Sequence, residues 1–190
     1  MKNEPVTMNG SDQPAEDEAR LIEAARYDPV EFSKLYHRYV VPVYRYLYKW
    51  VDNSAEAEDL TSQVFTEVLE GLAHYREQGH FAAWLFTISR RKAIAAYRRQ
   101  PQAVLPLEEA DEVAGTADDP LERVIWQEEQ EKMAALFAGL NENQRDLLRL
   151  RYSACLSYSE IGELLGQSEA AAKMAIHRLL QRMNTKWEEK

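Results

Sequence analysis

Apolar residues return every three or four positions along most of the chain, which is the spacing of an amphipathic helix. The pattern runs from Asp28 to Val51 and recurs twice more before Arg99. Asp28 followed by Pro29 predicts a helix start, because aspartate caps free backbone amides and proline suits the first helical turn. Pro42 is expected to kink or restart that helix. Since polar and apolar residues do not alternate over a useful length, the pattern predicts an all-α fold without a sheet.

The helical pattern stops between residues 100 and 120, where prolines and a glycine stand among acids and small residues. This composition predicts a flexible acidic linker between two small helical domains. The predicted domains are residues 21–99 and 121–187, and the polar residues 1–20 are expected to form a disordered tail. The second domain should begin with a helix from Leu121 to Leu140 and continue with one that starts at an asparagine cap.

The last third of the chain carries the signature of a helix-turn-helix. Ser157 and Glu160 have the spacing of a capping box, in which each side chain satisfies a free backbone amide at a helix start. Gly166 can adopt the positive φ of a sharp turn, and Ser168 is a suitable cap for the next helix. The motif makes DNA the first candidate partner. A plain amphipathic helical hairpin with solvated charges is the alternative for these residues alone.

The second helix of this motif has two distinct faces. An apolar stripe is expected to pack on the preceding helix, and it consists of Ala172, Ile176, Leu179, Leu180 and Met183. Two pairs of basic residues are candidates for DNA contacts, and the members of each pair share a face because they are four positions apart: Lys173 with His177, and Arg178 with Arg182. The positions that would reach base edges carry few hydrogen-bonding groups, so contact with phosphates should dominate there.

Charge is unevenly distributed along the 190 residues. The net charge of -9 argues against a protein that coats nucleic acid indiscriminately. Residues 76–99 nevertheless contain six basic residues and one acid, whereas residues 100–131 contain ten acids and one arginine. An acidic segment of this strength cannot follow a DNA backbone, but it can occupy a cationic channel of another protein.

The sequence offers little for catalysis, metal binding or membrane insertion. The single cysteine, Cys155, excludes an internal disulfide framework and fits a reducing compartment. No apolar run approaches the roughly 20 residues that span a bilayer, so a soluble cytoplasmic protein is expected. Glycine-rich phosphate loops and zinc-ligand spacings are lacking, and His74 and His80 are interpreted as surface residues. We therefore expect no enzyme activity, no cofactor and no metal.

Aromatic and basic residues are interleaved in the third helix of the first domain. Single-stranded nucleic acid is bound by such surfaces, since an aromatic face with nearby cations returns about 1 to 3 kcal/mol per stacked base. Trp84, Leu85 and Ile88 are more typical of a core face. Phe81 follows the flexible Gln78-Gly79-His80 and is the better candidate for a base contact.

Three segments together resemble one protein family. They are AEDLTSQVF (57–65), FAAWLFTISRRKAIAAYRR (81–99) and LSYSEIGELLGQSEAAAKMAIHRLLQRM (156–183). In this order and spacing they resemble the bacterial RNA polymerase sigma factors of the extracytoplasmic-function type within the sigma-70 family. The resemblance covers about residues 28–99, similar to sigma region 2, and 121–186, similar to sigma region 4.

The resemblance implies a function in DNA-templated transcription initiation. Such a factor binds core RNA polymerase, directs it to specific promoters and assists DNA melting at the minus-ten element, where a non-template base is captured outside the duplex. The second domain would read the minus-thirty-five element, and the acidic linker would thread a basic channel of the polymerase. Members of the family are often held inactive by an anti-sigma factor, which makes such a protein a further candidate partner.

The resemblance also assigns residues to each contact. The residues expected to bind the polymerase are Asp59, Leu60, Gln63, Val64 and Glu67. Those expected at the minus-ten DNA, duplex and single strand, are Arg76, His80, Phe81, Trp84, Arg90, Arg91, Lys92, Tyr97, Arg98 and Arg99. Those expected at the minus-thirty-five DNA are Ser168, Lys173, His177, Arg178 and Arg182. The competing hypothesis is a stand-alone helix-turn-helix regulator, which would bind duplex DNA without polymerase.

Overall fold

The computed structural model describes residues 13–76, 80–99, 130 and 132–188, and in these residues it contains helices and turns but no β-strand. This confirms the all-α prediction. The four helices of the first domain are α1 (Gln13–Ala25), α2 (Pro29–Val51), α3 (Ser54–Leu72) and α4 (Phe81–Arg99). The second domain has α5 (132–138), α6 (Glu142–Leu148), a π-helical turn (Arg149–Ser153), α7 (Tyr158–Leu165) and α8 (Glu169–Glu188). The predicted acidic linker lies outside the described residues.

Helix α2 is the centre of the first domain and packs against α1, α3 and α4. It begins where predicted, since the Asp28 side chain accepts a hydrogen bond from the Val30 amide at 2.8 Å. The restart expected at Pro42 does not occur, and α2 runs through the proline to Val51. Proline removes one amide donor, but the buried Val43 and Tyr46 hold the following turn against the core.

Helix α1 corrects the prediction of a disordered tail up to residue 20, because the helix begins at Gln13. Ile22 is buried against α2, and Glu18 reaches the same helix through its carboxylate. That carboxylate accepts hydrogen bonds from Tyr39 Oη at 2.5 Å and Arg38 Nη1 at 3.1 Å. Burial first, and Glu18 second, raise the pKa of Tyr39 well above its ordinary value, so Tyr39 stays a neutral donor. Residues 1–12 lie outside the described part of the chain.

The predicted helix-turn-helix is present in the second domain. Ser157 and Glu160 form the capping box, and Gly166 ends α7 at φ 65°. The Ser168 hydroxyl accepts a hydrogen bond from the Ala171 amide at 3.2 Å and caps α8. The asparagine cap expected earlier in the domain is Asn141, which forms a capping box with Gln144 at the start of α6. These local signals determine where α6, α7 and α8 begin and where α7 ends.

The two domains are packed against each other. Helix α4 contacts α7, and α2 contacts the π-helical turn. Buried Leu150, Ile161 and Ile176 of the second domain continue the core of the first. Among the described residues, none of the helices combines the length and the apolar composition needed to cross a lipid bilayer.

Candidate polymerase and nucleic-acid interfaces

The exposed side of α3 carries a row of short polar side chains. Asp59 and Gln63 are both exposed, and Gln63 Nε2 donates to Asp59 Oδ2 at 2.7 Å. Ser62 and Thr66 lie beside them and are also exposed. These groups retain hydrogen-bonding capacity toward a partner, since a carboxylate oxygen accepts more than one bond.

Leu60 and Val64, which the sequence analysis assigned to the polymerase contact, belong to the core of the first domain. Their exposed fractions are 2% and 0%. Both lie on the side of α3 that packs against α2 and α4, so they cannot touch a partner surface in this structure. Leu69 is 55% exposed and adds an apolar group to the outer side of α3. Its position in the helical pattern gave no signal that distinguished it from its buried neighbours.

Glu67 is bound within the first domain. Its carboxylate accepts hydrogen bonds from Arg91 and from Lys92, the latter at 3.2 Å. Desolvation acts to raise the pKa of Glu67, but the two cations outweigh it and lower that pKa below 4.5. A residue assigned to the polymerase and two assigned to the minus-ten DNA therefore neutralise one another here.

Phe81 is a core residue and not an exposed base contact. Its exposed fraction is 2%, and its ring centroid lies 5.4 Å from Tyr39, 5.5 Å from Tyr75 and 5.6 Å from Trp84. Four aromatic rings thus close this end of the domain. The loop that precedes Phe81 suggested exposure, but residues 77–79 lie outside the described part of the chain.

The remaining minus-ten candidates differ in accessibility. Trp84 and Tyr97 are half-buried, and the Tyr97 ring packs edge-on against Trp50 at 5.6 Å. The cations at the surface are Arg76, Arg91, Arg98 and Arg99. A groove of about 380 Å³ runs along α4, and its lining comprises Thr87, Arg90, Arg91, Ile94, Ala95, Arg98 and, from α7, Leu164. Its cationic walls suit a phosphate backbone.

Arg90 is held at the interface between the two domains. Its Nε donates to Asp146 Oδ2 at 2.6 Å, and Tyr46 Oη donates to Asp146 Oδ1 at 2.8 Å. Burial acts to lower the pKa of Arg90, but Asp146 outweighs it and the pKa is raised. Burial and then Asp146 raise the pKa of Tyr46, which is therefore a neutral donor. Tyr46 and Asp146 had no assigned role, because their contact joins positions 100 residues apart.

Three further contacts link the two domains. The backbone amide of His80 donates to Glu163 Oε2 at 2.9 Å, and the His80 ring lies 3.0 Å from Ser159 Oγ. The Arg149 guanidinium stacks over the Trp50 ring, 4.2 Å from its centroid. His80, a minus-ten candidate, is thus engaged by α7 in this arrangement.

Helix α8 presents the basic side that its sequence predicts. Lys173, His177, Arg178 and Arg182 are all exposed. Ala172, Ile176 and Leu179 are buried on the opposite side. Ser168 uses its hydroxyl to cap α8, which places its role in the motif at the helix start. The basic row is therefore free to face a groove of duplex DNA.

The described residues contain no group of three or more histidine, cysteine, aspartate or glutamate side chains placed to hold a metal ion. The interfaces described above are thus built from hydrogen-bonding groups, cations and apolar walls. Such groups bind and orient macromolecules through contacts that require no bond to be made or broken.

Two family models match this chain. The model of sigma-70 region 2 matches residues 35–102, and that of sigma-70 region 4 matches residues 130–183. The first match spans α2 to α4 with all candidate minus-ten residues. The second contains the helix-turn-helix.

Several curated proteins are similar over most of the chain. The ECF RNA polymerase sigma factor ShbA of Streptomyces griseus is 35% identical over 131 residues, which are 66% of this chain and 69% of ShbA. The ECF RNA polymerase sigma factor BldN of Streptomyces coelicolor is 31% identical over 83% of this chain and 61% of its own length. The RNA polymerase sigma factor YlaC of Bacillus subtilis is 29% identical, with 76% and 84% covered.

A solved structure has a similar fold. CnrH, in complex with the cytosolic domain of CnrY, matches with a TM-score of 0.63 and 19% sequence identity. The match covers 90% of this chain and 96% of CnrH. At this identity the likeness concerns the fold.

Proposed function

The chain belongs to the extracytoplasmic-function sigma factors of bacterial RNA polymerase, and from that premise we propose how its residues divide the work of transcription initiation. The protein binds core RNA polymerase and directs it to specific promoters, so it is an initiation factor and not a stand-alone regulator. Its partners are core polymerase and promoter DNA. The family consists of transcription factors rather than enzymes.

The first domain, predicted as residues 21–99 and extended by α1 to Gln13, docks on the polymerase through the outer side of α3. Asp59 and Gln63 supply the polar contacts, because they are exposed and one turn apart. Leu69 supplies an apolar contact beside them. Glu67, whose carboxylate is partly exposed and paired with Arg91 and Lys92, can join them through the remaining acceptor sites of its oxygens.

The same domain binds the minus-ten element with α4. Arg91 and Arg98, which line the groove, hold phosphates together with the exposed Arg99 in the last turn of α4, and Ile94 in the lining provides an apolar contact for a base. Base capture then has an energetic basis, since a base that has left the duplex recovers stacking and phosphate contacts on the protein. This assignment rests on the cationic groove along α4, the helix that the family resemblance assigns to promoter melting.

The second domain, proposed as residues 121–187, reads the minus-thirty-five element with α8. Its exposed cations contact phosphates at the major groove while α7 lies across the backbone. Base discrimination is modest, because Met174 and its alanine neighbours contribute van der Waals contacts rather than hydrogen bonds. The acidic linker, proposed as residues 100–120, follows a basic channel of the polymerase.

The family assignment supports three further parts of the proposal. The protein acts in the cytoplasm, where core polymerase is found. It performs no bond chemistry, since the polymerase carries out nucleotidyl transfer and needs no cofactor from this chain. An anti-sigma protein is a candidate regulator on the family resemblance.

Run-off transcription with purified core polymerase tests whether the protein directs polymerase to promoters. The template is a pool of genomic promoter fragments that includes the region upstream of the protein's own gene. Wild-type protein should give discrete transcripts that depend on its presence. The absence of transcripts, with tight duplex binding by the protein alone, would contradict the proposal.

The α3 assignment is tested by Asp59→Ala combined with Gln63→Ala. Binding to core polymerase, measured by fluorescence anisotropy, should weaken about thirtyfold, because the variant removes two polar contacts of roughly 1 kcal/mol each. Ser33→Ala with His37→Ala is the matched control, since these residues are also exposed and one turn apart, on α2. Equal weakening in both variants would place docking elsewhere.

A further inference from the structure

Arg26, which directly follows α1, contacts the backbone next to the first minus-ten candidate. Its Nη2 donates a hydrogen bond to the Tyr75 carbonyl oxygen at 2.6 Å. Its Nη1 lies 2.7 Å from Glu23 Oε2, one turn earlier, and this ion pair orients the guanidinium. Arg76, assigned to the minus-ten DNA, is the next residue after Tyr75. The contact joins positions 49 residues apart, so it ties the end of α1 to the segment that follows α3.

The location favours an arginine for two physical reasons. Helix α3 ends at Leu72, and the carboxyl end of a helix carries partial negative charge that a cation stabilises. Tyr75 is only 9% exposed, so its backbone groups need partners within the protein. Arg26 supplies both a positive charge and a hydrogen-bond donor at this point.

The same side chain also carries an unfavourable feature. Arg26 Nε is buried and has no hydrogen-bond partner among the described residues. An unpaired buried donor costs about as much free energy as a hydrogen bond from a charged group contributes, so the two effects largely offset each other. We therefore expect Arg26 to add little to the stability of the domain. Its main consequence is the fixed position of Tyr75.

The Tyr75 ring in turn sets the position of Trp84. The ring centroids of the two residues lie 4.9 Å apart, and that of Phe81 lies 5.5 Å from Tyr75. On its other side Trp84 lies close to Gly71, where a Cβ would be 3.1 Å from Trp84 Cζ2. Trp84 is half-buried and is assigned to the minus-ten DNA. A shift of Tyr75 would therefore move both Trp84 and Arg76.

Helix α1 makes a second link to the same region. Its Glu18 carboxylate accepts the hydrogen bond from Tyr39 Oη, and the Tyr39 ring lies 5.4 Å from the ring of Phe81. Phe81 is the first residue of α4. Helix α1 is thus connected to Tyr75 through Arg26 and to the start of α4 through Tyr39.

We propose that Arg26 is a positioning residue for base capture, which holds Tyr75 so that Arg76 and Trp84 meet the unpaired minus-ten base in one geometry. The proposal rests on the function proposed for α4. Stacking on an aromatic ring tolerates every base, so discrimination between bases requires contacting groups that are held to within about 0.5 Å. Loss of Arg26 should therefore reduce discrimination at the minus-ten element more than it reduces stability.

The hold on Tyr75 is tested in the free, full-length protein by trypsin cleavage after Arg76, followed by mass spectrometry. Arg26→Met keeps the side-chain length and removes all donors, and it should speed this cleavage about fivefold, since cleavage follows local opening. Cleavage after Arg45, inside α2, reports global unfolding and should not change. Arg20→Met is the matched control, because Arg20 is an exposed arginine of the same helix.

The effect on base capture is measured with holoenzyme on a promoter that the wild-type protein transcribes in the run-off assay. The quantity is the ratio of open-complex formation on this promoter to that on single-base variants of its minus-ten element. Arg26→Met should lower the ratio about fivefold, while Arg26→Lys should restore part of it because an ammonium group can donate to the same carbonyl. Discrimination at the minus-thirty-five element and affinity for core polymerase should be unchanged. Arg20→Met should behave as wild type.

Unchanged cleavage after Arg76 in Arg26→Met would overturn the proposal. Faster cleavage with unchanged minus-ten discrimination would also overturn it, because Arg26 would then have a structural role alone. Equal loss of discrimination at both promoter elements would do the same. If Arg26→Met does not fold, Tyr39→Phe decides: it removes the link to Glu18, keeps the ring beside Phe81 and should lower minus-ten discrimination about twofold. Missing transcripts with the wild-type protein would instead contradict the proposed function, whatever trypsin shows.

Discussion

Gly162 lies within α7, where the turn that leads to α8 passes directly over it. A Cβ at this position would lie 2.9 Å from the Gln167 carbonyl oxygen and 3.1 Å from the Glu169 amide nitrogen. Both atoms belong to backbone and cannot rotate away. Gly166, by contrast, has no atom within 4 Å of such a Cβ and is required for its φ of 65°.

Gly162→Ala should therefore destabilise the second domain by about 1 to 3 kcal/mol through overpacking of the turn. Gly166→Ala should cost about 1 kcal/mol, because only the left-handed backbone conformation is penalised. Urea unfolding followed by circular dichroism compares the two. A smaller destabilisation by Gly162→Ala than by Gly166→Ala would show that the turn moves aside easily.

Glu67 predicts a pH dependence of stability. Since its folded-state pKa is lowered, its contribution is present above the unfolded-state pKa and disappears as pH falls through the folded-state pKa. Glu67→Gln should flatten the decline of stability below about pH 5, by at most about 1 kcal/mol because the pair lies at the surface. Urea unfolding of both proteins between neutral and acidic pH measures it. An identical decline in Glu67→Gln would assign the acid sensitivity to other carboxylates.

At single residues the sequence predicted local chemistry better than burial. The caps at Asp28, Asn141 and Ser157 are confirmed because each joins groups two or three positions apart. Leu60 and Phe81 were misassigned to binding surfaces because their burial depends on helices distant in the chain. The spacing of an apolar residue in an amphipathic helix indicates on which side of the helix it lies. It does not indicate whether another helix packs over that side.

Among the elements, the end of α4 carries the accessible cations. Arg98 and Arg99 are exposed in its last turn. Replacing both with alanine should reduce open-complex formation about tenfold, because the variant can no longer hold two phosphates, while binding to core polymerase is retained. Permanganate reactivity of unpaired thymines measures melting. Arg45→Ala, an exposed arginine on α2, is the control, and an equal defect in both would indicate a general charge effect.

Helix α8 makes a separate prediction for the upstream element. Lys173→Ala with Arg178→Ala should weaken holoenzyme binding to a promoter duplex, and each phosphate released should lower the slope of log affinity against log salt by about 1. Lys186→Ala, exposed in the last turn of α8, serves as the control. An unchanged slope in the double variant would mean that another surface contacts the upstream DNA.

Element boundaries were predictable where a capping side chain marks the start of a helix, as for α2 and α7. Helix α1 was missed because its first two turns are rich in acids and, apart from Pro14, contain no apolar residue larger than alanine. The π-helical turn at Arg149–Ser153 was also missed, since a continuous apolar pattern in NENQRDLLRLRYSACL favours one regular helix. Its wider turn brings Leu150 into the core and Arg149 over Trp50, which only the packed domains reveal.

For the whole molecule, the packing of the two domains against each other should resist salt. Asp146 is almost fully buried, and buried pairs are screened much less than exposed ones. Added salt does not weaken the contacts between apolar side chains that continue the core across the interface, because these side chains carry no charge. Small-angle scattering of the free protein should therefore give the same radius of gyration in low and in high salt. Expansion at high salt would show that exposed contacts such as His80 with Glu163 govern the interface.

The 100 residues between Tyr46 and Asp146 also set an order of events during synthesis. A ribosome adds roughly 5 to 20 residues per second, and domains fold as they emerge, so the first domain is complete for several seconds before Asp146 leaves the exit tunnel. In each newly synthesised chain, Arg90 is therefore at first not paired with Asp146, and α4 is not yet covered by α7. An mRNA truncated after the codon for residue 130 would produce a fragment in which Arg90 stays unpaired and α4 stays uncovered.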